Sequence, residues 1–229
     1  PTNQGFDVYF GIPYSNDMGA DPAMQLSSNI RWRNGFTEEK FRQLTPNNRR
    51  AGPPLFRGTR VVEFPVDQNT LTRRYTEEAV RFITANKDKP FFLYLAQTMP
   101  HVPLFVSDDR YDADPHQAYR LTIEHIDWSV GQIMQTLDEL ELTENTFVVY
   151  TSDNGPWLSK KHHGGSALPL RAGKATTYEG GMRVPCVMRW PARIKPGQVC
   201  NQVAATIDLL PTFASIAGAT LDTSRPIDG

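Results

Sequence analysis

Apolar residues along the chain recur at two different spacings. From about Thr70 to Ala85 and from Ile207 to Ala217 they recur every three or four positions, which is typical of amphipathic helices. Gly218 follows the second segment and is placed to end it in the left-handed conformation. A longer stripe with the same spacing predicts another helix with a core-facing side, formed by Ile123, Ile126, Val130, Ile133, Leu137 and Leu140.

Short apolar runs between these segments predict strands. Phe91 to Ala96 is continuously apolar after Lys89-Pro90 breaks the helical pattern, so we expect a strand buried on both faces. Because strands alternate with helices, we predict an α/β fold with a largely parallel sheet and helices on both faces. Three further runs predict strands at Arg60 to Phe64, Thr146 to Thr151 and Val184 to Trp190.

The first sixty residues carry turn chemistry and few periodic apolar positions. We therefore expect residues 20 to 60 to form a loop-rich insertion. The whole chain of 229 residues is interpreted as the central portion of one catalytic domain, truncated at both ends.

Composition narrows the class of protein. A 39% apolar share is typical of a globular chain. A formal net charge of -1 gives no reason to expect nucleic acid as a partner. No apolar run approaches the roughly 20 residues that a membrane span needs. The chain opens with Pro1–Gln4 and no signal-peptide pattern, so export cannot be read from it.

Only two cysteines occur, Cys186 and Cys200. Cys186 lies in the apolar stretch Val184–Met188, and we expect it to be a buried small hydrophobe. One disulfide is possible, but the spacing does not demand it.

A candidate cation site follows one predicted strand. In Ser152–Gly155, Asp153 and Asn154 offer a carboxylate and an amide oxygen, which suit Ca²⁺ or Mg²⁺. The same peptide is also a common hairpin turn, because Asn-Gly favours tight turns. Two oxygens cannot complete a shell of six to eight ligands. The acidic pair Asp108-Asp109 is interpreted as part of a solvated loop.

Two further side chains could act on an anion. Lys174 lies between small neighbours and could bind an oxyanion or donate a proton, although a surface lysine is the simpler interpretation. His101 lies between Pro100 and Pro103, whose rings restrict the backbone and would aim the imidazole reproducibly. The pair His162-His163 lacks zinc spacing and a third ligand.

The motifs together resemble the arylsulfatase family in content and order. They are Gly5–Asp17 (GFDVYFGIPYSND), Pro90–His101, Thr151–Gly155, Gly173–Gly181 and Asp208–Thr212 through Gly229. The segment Gly164–Ser166 is especially similar to relatives such as arylsulfatase A and N-acetylgalactosamine-6-sulfatase. The resemblance covers nearly the whole chain.

This resemblance implies an alkaline-phosphatase-like α/β/α sandwich, here incomplete, and hydrolysis of sulfate esters. It implies that Asp153 and Asn154 are calcium ligands, with magnesium less favoured. Lys174 would contact the sulfate and the leaving-group oxygen, and His101 would bind sulfate or protonate the leaving group. The nucleophile of the family is a formylglycine made from cysteine. The substrate would be a sulfated small molecule or carbohydrate, and the location secreted, periplasmic or lysosomal.

The chain departs from the family pattern at the nucleophile. Neither Cys186 nor Cys200 lies in a Cys-x-Pro-Ser-Arg type motif, and the paired aspartates of the family's N-terminal part are absent. We therefore expect formylglycine in a missing N-terminal part and no turnover by the isolated chain. Two alternatives remain open, a phosphate-ester or phosphonate hydrolase of the same superfamily and a non-catalytic binding or scaffold domain.

Overall fold

The computed structural model describes residues 1–222, 224 and 226–229. Its strands are β1 (Phe10–Gly11), β2 (Leu26–Trp32), β3 (Leu55–Arg57), β4 (Arg60–Phe64), β5 (Val148–Thr151) and β6 (Cys186–Arg189). Its α-helices are α1 (Glu38–Arg42), α2 (Leu71–Asn86), α3 (Ala118–Glu139), α4 (Glu179–Met182) and α5 (Leu209–Ile216). The predicted helices near residues 70–85, 123–140 and 207–217 are confirmed, as is the strand Arg60–Phe64. Gly218 follows α5 with a φ of 67°, in the left-handed conformation predicted for it.

The N-terminal region forms a four-stranded sheet in the order β1-β3-β4-β2. Strand β2 runs parallel to β4, whereas β3 is antiparallel to both β1 and β4. Residues 20 to 60, predicted to be a loop-rich insertion, contain the short elements β2, α1 and β3 between their loops. Irregular apolar spacing in these short elements hid them from a periodicity search.

Aromatic side chains fill the core beside this sheet. Phe41 of α1 and Phe64 of β4 are both 0% exposed, and their rings meet edge to face at 4.8 Å. Phe36 packs on Phe64 in the same way at 4.9 Å. Full burial of one such side chain stabilises the fold by about 1.5–3 kcal/mol, so this aromatic group anchors α1 to the sheet. A second buried cluster joins the sheet to α2 and contains Leu55, Val66, Leu71 and Tyr75.

Helices α2 and α3 pack against one another, but with a more polar contact than the apolar stripe predicts. Of the six stripe residues, only Ile126 and Leu137 are fully buried. The buried side of α3 is rotated towards the polar residues Thr122, His125 and Ser129. Ser129 accepts a 2.6 Å hydrogen bond from Thr76 of α2, so hydrogen bonds replace part of the expected apolar packing.

The C-terminal region is much less covered. Strands β5 and β6 form a separate antiparallel pair whose apolar side chains remain largely accessible, including Val187 at 63%. An open cleft of about 310 Å³ separates them from Val130 and Met134 of α3. Cys186 and Cys200 are exposed free thiols, which corrects the prediction that Cys186 is buried. The face of β6 that the sequence assigns to the core has no covering layer within the described residues.

The segment Phe91–Ala96 is not a strand, which corrects another prediction. Its residues alternate between half-buried and exposed, and Phe92 and Tyr94 are 55% and 72% exposed. A strand requires a hydrogen-bonded neighbour, and no other strand of the described residues pairs with this segment. Its apolar composition indicates a tendency to be buried, but composition alone does not supply the neighbouring strand that a β-strand needs.

The α/β class is confirmed, whereas the largely parallel sheet is not. Of the strand pairs in the described residues, only β2 and β4 are parallel. None of the described helices is long and apolar enough to cross a membrane.

Candidate functional site

His101 lies on the loop that follows Phe91–Ala96. Its ring contacts Ser15 and Asn16 of the N-terminal region. Its Nδ1 atom is 3.0 Å from Oδ1 of Asn16. The Oγ atom of Ser15 lies 3.3 Å from Nδ1 and 3.4 Å from Nε2, beside the ring. The peptide bond of His101 is fixed as well, because its N–H donates to the carbonyl of Thr98. The imidazole is therefore oriented by a loop more than eighty residues away in sequence.

An anionic group completes this side of the site. The Ser15 hydroxyl donates to Oδ1 of Asp17 at 2.8 Å, and Arg49 lies 3.8 Å from Oδ2. Partial burial alone would raise the pKa of Asp17. The hydrogen bond from Ser15 and the charges of His101 and Arg49 outweigh it and lower that pKa below its ordinary value. Asp17 is therefore a stable negative charge next to the imidazole.

Asp153 and Asn154 lie directly after β5, at its carboxyl end. Strand β6, the partner of β5, begins only at Cys186, so the Asn-Gly dipeptide does not form a two-residue hairpin. The Asp153 side chain is exposed, and none of the hydrogen bonds or ion pairs among the described residues uses its carboxylate. Asn154 uses its Nδ2 to donate to the Gly155 carbonyl, which leaves its oxygen without a partner in the same part of the chain. Both oxygens are free to bind a cation.

The turn that carries these oxygens is clamped to the lysine segment through backbone contacts. The N–H of Gly155 donates to the carbonyl of Gly181 at 3.0 Å, and the N–H of Lys174 donates to the carbonyl of Pro156 at 2.9 Å. A Cβ atom at Gly155 would collide with the carbonyl oxygen of Gly180. Glycines thus allow two backbones to touch, which sets the distance between Lys174 and the Ser152–Gly155 turn.

The backbone around Lys174 is strained. Ala172 and Ala175 both adopt left-handed conformations, with φ of 63° and 69°. A left-handed non-glycine residue costs roughly 1–2 kcal/mol, and such residues persist where surrounding contacts hold them. The hydrogen bond from Thr176 Oγ1 to the Gly173 carbonyl, at 2.7 Å, is one such contact. The loop therefore holds Lys174 in a defined place.

Trp157 connects the two halves of the site. Its ring lies 5.8 Å from the imidazole of His101, measured between ring centroids. The ammonium groups of Lys174 and Lys160 lie 5.3 Å and 4.4 Å from the indole centroid, within cation–π range. One half-buried indole thus gathers an imidazole and two ammonium groups. Lys174 and His101, which the sequence analysis singled out separately, are neighbours of one side chain.

The two histidines that follow Trp157 lie apart from this group. His162 pairs with His116 at 4.0 Å between ring centroids, and both are exposed. Among the described residues, no three His, Cys, Asp or Glu side chains are grouped so as to hold a metal ion.

The sequence analysis did not single out several residues at this site, among them Ser15, Asn16, Asp17, Trp157 and Lys160. Ser15 and Asn16 belong to a turn-rich stretch whose polar residues usually face solvent, although Asn16 is only 2% exposed. Trp157 follows the Ser152–Gly155 turn within a few positions, and that proximity was the available signal. Its contacts with His101 depend on tertiary structure alone.

The structure thus places an exposed carboxylate, an amide oxygen and several basic side chains on neighbouring segments of an α/β scaffold. The sequence profile of the sulfatase family, described as Sulfatase, matches residues 1–219. The chain therefore belongs to the sulfatase family.

Individual relatives agree with this assignment. The chain is 34% identical over 255 residues to arylsulfatase G of Rattus norvegicus, which covers all of this chain and 46% of that protein. It is 40% identical over 243 residues to N-acetylgalactosamine-6-sulfatase of Canis lupus familiaris, covering all of this chain and 41% of that protein. The chain thus spans about half the length of the curated relatives that it matches.

Solved structures share the fold. The PsFucS1 sulfatase from Pseudoalteromonas sp. superposes with a TM-score of 0.79 at 27% identity, over all of this chain and 47% of that one. Ps i-CgsB, solved in complex with k-i-k-neocarrahexaose, gives a TM-score of 0.80 at 29% identity, over all of this chain and 49% of that one. The described elements are thus those of an incomplete alkaline-phosphatase-like α/β/α sandwich, as the resemblance implied.

Proposed function

We propose that the full-length protein containing this chain hydrolyses sulfate esters, and that His101, Lys174, Asp153 and Asn154 form part of its active site. The observation that carries this proposal is the placement of His101 and Lys174 on one indole, Trp157. Both side chains, to which the proposal gives separate roles in sulfate recognition, lie against this one ring.

The cationic groups account for binding of the sulfate. A sulfate ester carries one negative charge, and more negative charge develops on the leaving oxygen as the S–O bond breaks. Lys174 and Lys160 supply positive charge beside the site, and Trp157 orients both ammonium groups. Preorganised charges of this kind stabilise a developing anion more effectively than water, because they need not reorganise during the reaction.

Asp153 and Asn154 fit one side of a calcium site. Their oxygens are hard ligands, free of competing partners among the described residues and adjacent in the chain. Bound calcium would supply electrostatic stabilisation of the sulfate oxygens. Because Ca²⁺ takes six to eight oxygens, the remaining ligands would come from sequence outside these 229 residues. Magnesium is disfavoured because it demands a stricter octahedral geometry.

The nucleophile would also come from outside these residues, since Cys186 and Cys200 are exposed and lie in no formylglycine motif. The formylglycine that the family resemblance implies supplies attack on sulfur when present. The residues of this chain bind the sulfate, orient it and deliver a proton to the leaving oxygen. Loss of the nucleophile alone would leave their affinity for an anion intact.

A sulfated carbohydrate is the substrate class that we favour. Ps i-CgsB was solved with a carbohydrate, and all of this chain is similar to 49% of that protein. The exposed lysines Lys160 and Lys161, which follow Trp157, extend the cationic surface beyond a single sulfate. A polyanionic sugar would contact more of this surface than a monosulfated aromatic alcohol.

The test compares ester classes in the full-length polypeptide. Release of p-nitrophenol from p-nitrophenyl sulfate should exceed release from p-nitrophenyl phosphate. His101→Ala and Lys174→Ala should each lower kcat/KM by about 10²–10⁴-fold, in the range of general acid–base contributions. Lys195→Ala, at an exposed lysine distant in sequence from the site, serves as the control. Faster phosphate release would favour a phosphate-ester hydrolase, and unaltered His101 and Lys174 variants would overturn the site.

Calcium binding has its own readout. Titration calorimetry should detect calcium binding to the full-length polypeptide, and Asp153→Ala should weaken it by at least about tenfold, since a charged ligand is lost. Equal affinity in the variant would remove Asp153 from the metal site. No binding at all would favour a scaffold domain.

A further inference from the structure

Asn16 has the environment of a residue that is built to orient another. It is 2% exposed, and its side-chain Nδ2 lies 3.0 Å from Oε1 of Gln68 and 2.9 Å from the carbonyl oxygen of Pro103. Its side-chain oxygen faces Nδ1 of His101 at 3.0 Å. An asparagine amide has two donor hydrogens and an acceptor oxygen, and all three are used here.

The orientation of this amide is determined by its partners. A carbonyl oxygen can only accept, so the group facing Pro103 must be the NH₂ of Asn16. Gln68 is determined independently, because its Nε2 donates to the backbone carbonyl of Asn16 at 3.1 Å and its oxygen therefore faces the Asn16 NH₂. With both NH₂ hydrogens committed, the oxygen of Asn16 must face His101.

The orientation of Asn16 in turn determines which nitrogen of His101 carries the proton. An amide oxygen cannot donate, so Nδ1 of His101 must be the donor in this hydrogen bond. Ser15 cannot donate a hydrogen bond to Nδ1 instead, because its hydroxyl hydrogen is donated to Asp17. In the neutral imidazole Nε2 is then the bare nitrogen, and in the charged form it carries the second proton.

We propose that Asn16 is a positioning residue that holds His101 in the Nδ1–H tautomer, so that Nε2 is the atom presented to the sulfate ester. The inference rests on the proposed function for its catalytic meaning. When His101 is charged, the Nε2–H bond breaks as the hydrogen joins the leaving oxygen, and the electron pair stays on Nε2. The neutral imidazole that remains is already the tautomer that Asn16 stabilises.

The geometry also explains why Asn16 is buried. A tautomer is held only if its partner cannot rotate, and Asn16 is fixed by Gln68 and Pro103. The Asn16–Gln68 contact is reciprocal, with each residue donating to the other. An asparagine at the surface would exchange its bonds with water and impose no preference.

The direct test reads the tautomer. Long-range ¹H–¹⁵N NMR of the full-length polypeptide labelled in its histidines distinguishes protonated from bare ring nitrogens, and His101→Gln identifies the His101 signals. The wild type should show Nδ1–H at a pH where the ring is neutral. Asn16→Leu, which keeps the side-chain volume and removes the acceptor, should lose this signature. An unchanged Nδ1–H signal in that variant would overturn the inference.

Activity provides a second readout. Asn16→Leu should lower kcat by at least about tenfold with KM changed by less than about threefold, since proton delivery rather than binding is impaired. Asn16→Asp keeps an acceptor for Nδ1–H and should retain that tautomer. Its carboxylate favours the charged imidazole, so the pH–rate profile should move up by roughly one unit. An unmoved profile in Asn16→Asp would contradict the inference even if Asn16→Leu failed to fold.

Thr122→Val is the control for buried polar substitutions. Thr122 is 1% exposed and donates to the Ala118 carbonyl within α3, so this variant removes a buried hydroxyl that has no hydrogen bond to His101. It should change neither the tautomer nor the pH profile; a comparable change would indicate that Asn16 acts through general destabilisation. The NMR measurement does not require turnover. A dependence of the tautomer on Asn16 without sulfate hydrolysis would sink the proposed function and leave the positioning role intact.

Discussion

The two sides of the candidate site are held by different physical means. His101 is fixed by side chains of the N-terminal region, where the four-stranded sheet and α2 enclose buried aromatic clusters. Asp153, Asn154 and Lys174 are fixed by backbone contacts in the C-terminal region, where β5 and β6 remain largely uncovered. Orientation by side chains needs a surrounding core, whereas orientation by touching backbones needs only glycines. The candidate site therefore spans a well-packed and an open region without depending on one core.

Among the substitutions that test this contrast, we expect the largest loss of stability at Glu63. This carboxylate is 2% exposed, lies 2.8 Å from Arg74 and accepts the N–H of Asp67, the residue before Gln68. Glu63→Gln should lower the free energy of unfolding by about 2–4 kcal/mol, because the partly buried guanidinium groups of Arg74 and Arg33 would lose the charge of their buried partner. Urea denaturation of the full-length polypeptide measures this change.

The exposed pair Arg120–Glu124 on α3 supplies the matched control. Glu124→Gln should cost no more than about 0.5 kcal/mol, since exposed pairs at this spacing contribute little. Equal losses in the two variants would mean that burial does not distinguish the N-terminal region.

A somewhat smaller loss of stability is expected at Gly155, where the backbone of the turn touches that of Gly180. Gly155→Ala places a methyl group against the Gly180 carbonyl and should destabilise the protein by about 2–3 kcal/mol, in the range of overpacking. Because the clash separates the turn from the lysine segment, calcium affinity and sulfate hydrolysis should fall together. Calorimetry and an activity assay on the same sample would check this.

Gly131→Ala is the control for that substitution. Gly131 lies inside α3, and no heavy atom would lie within 4 Å of its added Cβ. The variant should be more stable than the wild type by about 0.5–1 kcal/mol, because alanine favours the helix. If Gly155→Ala behaved in the same way, backbone contact would not be what holds this side of the site.

Substitution of Trp157 would remove the contacts with His101 and Lys174 that connect the two sides of the site. Trp157→Leu keeps an apolar side chain but removes two cation–π contacts, which together contribute about 1–2 kcal/mol. Activity should fall about tenfold, because Lys174 and His101 are no longer held against one ring. Trp190→Leu removes a ring stacked on Phe147 instead and should leave the kinetic constants of the full-length enzyme within about twofold. A matching kinetic loss in that variant would argue against a specific role for Trp157.

The smallest expected effect is a pH dependence of stability that arises from His125 on α3, between the two regions. Burial lowers the pKa of His125 below 6.5, and the charges of Arg110 and Arg73 lower it further against the opposing effect of Asp109. The unfolded chain then binds more protons just below pH 6.5, so the free energy of unfolding should fall as the pH falls from 6.5 towards the folded-state pKa. His125→Phe should flatten this slope in denaturation curves measured between pH 5 and 7.

His116→Phe, at an exposed position, should leave the slope as it is in the wild type. A slope that survived in His125→Phe would assign the pH dependence to another group.

The sequence predicted those elements whose apolar pattern is long and regular. Helices α2, α3 and α5 were located to within a few residues because their stripes extend over two or more turns. Strand β2 was missed because its exposed polar residues Ser28 and Asn29 interrupt any alternation. The segment Phe91–Ala96 shows the opposite error, since continuous apolarity reports a tendency to be buried and not a hydrogen-bonded neighbour.

The candidate site was predictable in its residue types but not in its connections. His101, Lys174, Asp153 and Asn154 carry chemistry in their side chains, and their order resembles a known family. Asn16 lies in the family-like stretch Gly5–Asp17, but its amide gives no chemical signal of its own, because its role depends on where Gln68 and Pro103 place it. Partners distant in sequence cannot be derived from one chain without its fold.

The indole at the centre of the site also makes the protein a sensor of its own ligand. Trp157 is one of four tryptophans, and the emission of an indole depends on nearby charges such as those of Lys160 and Lys174. With the other three replaced by phenylalanine, an anion entering the site would change the fluorescence without any label or turnover. Binding of inorganic sulfate, sulfated sugars or inhibitors could thus be followed optically.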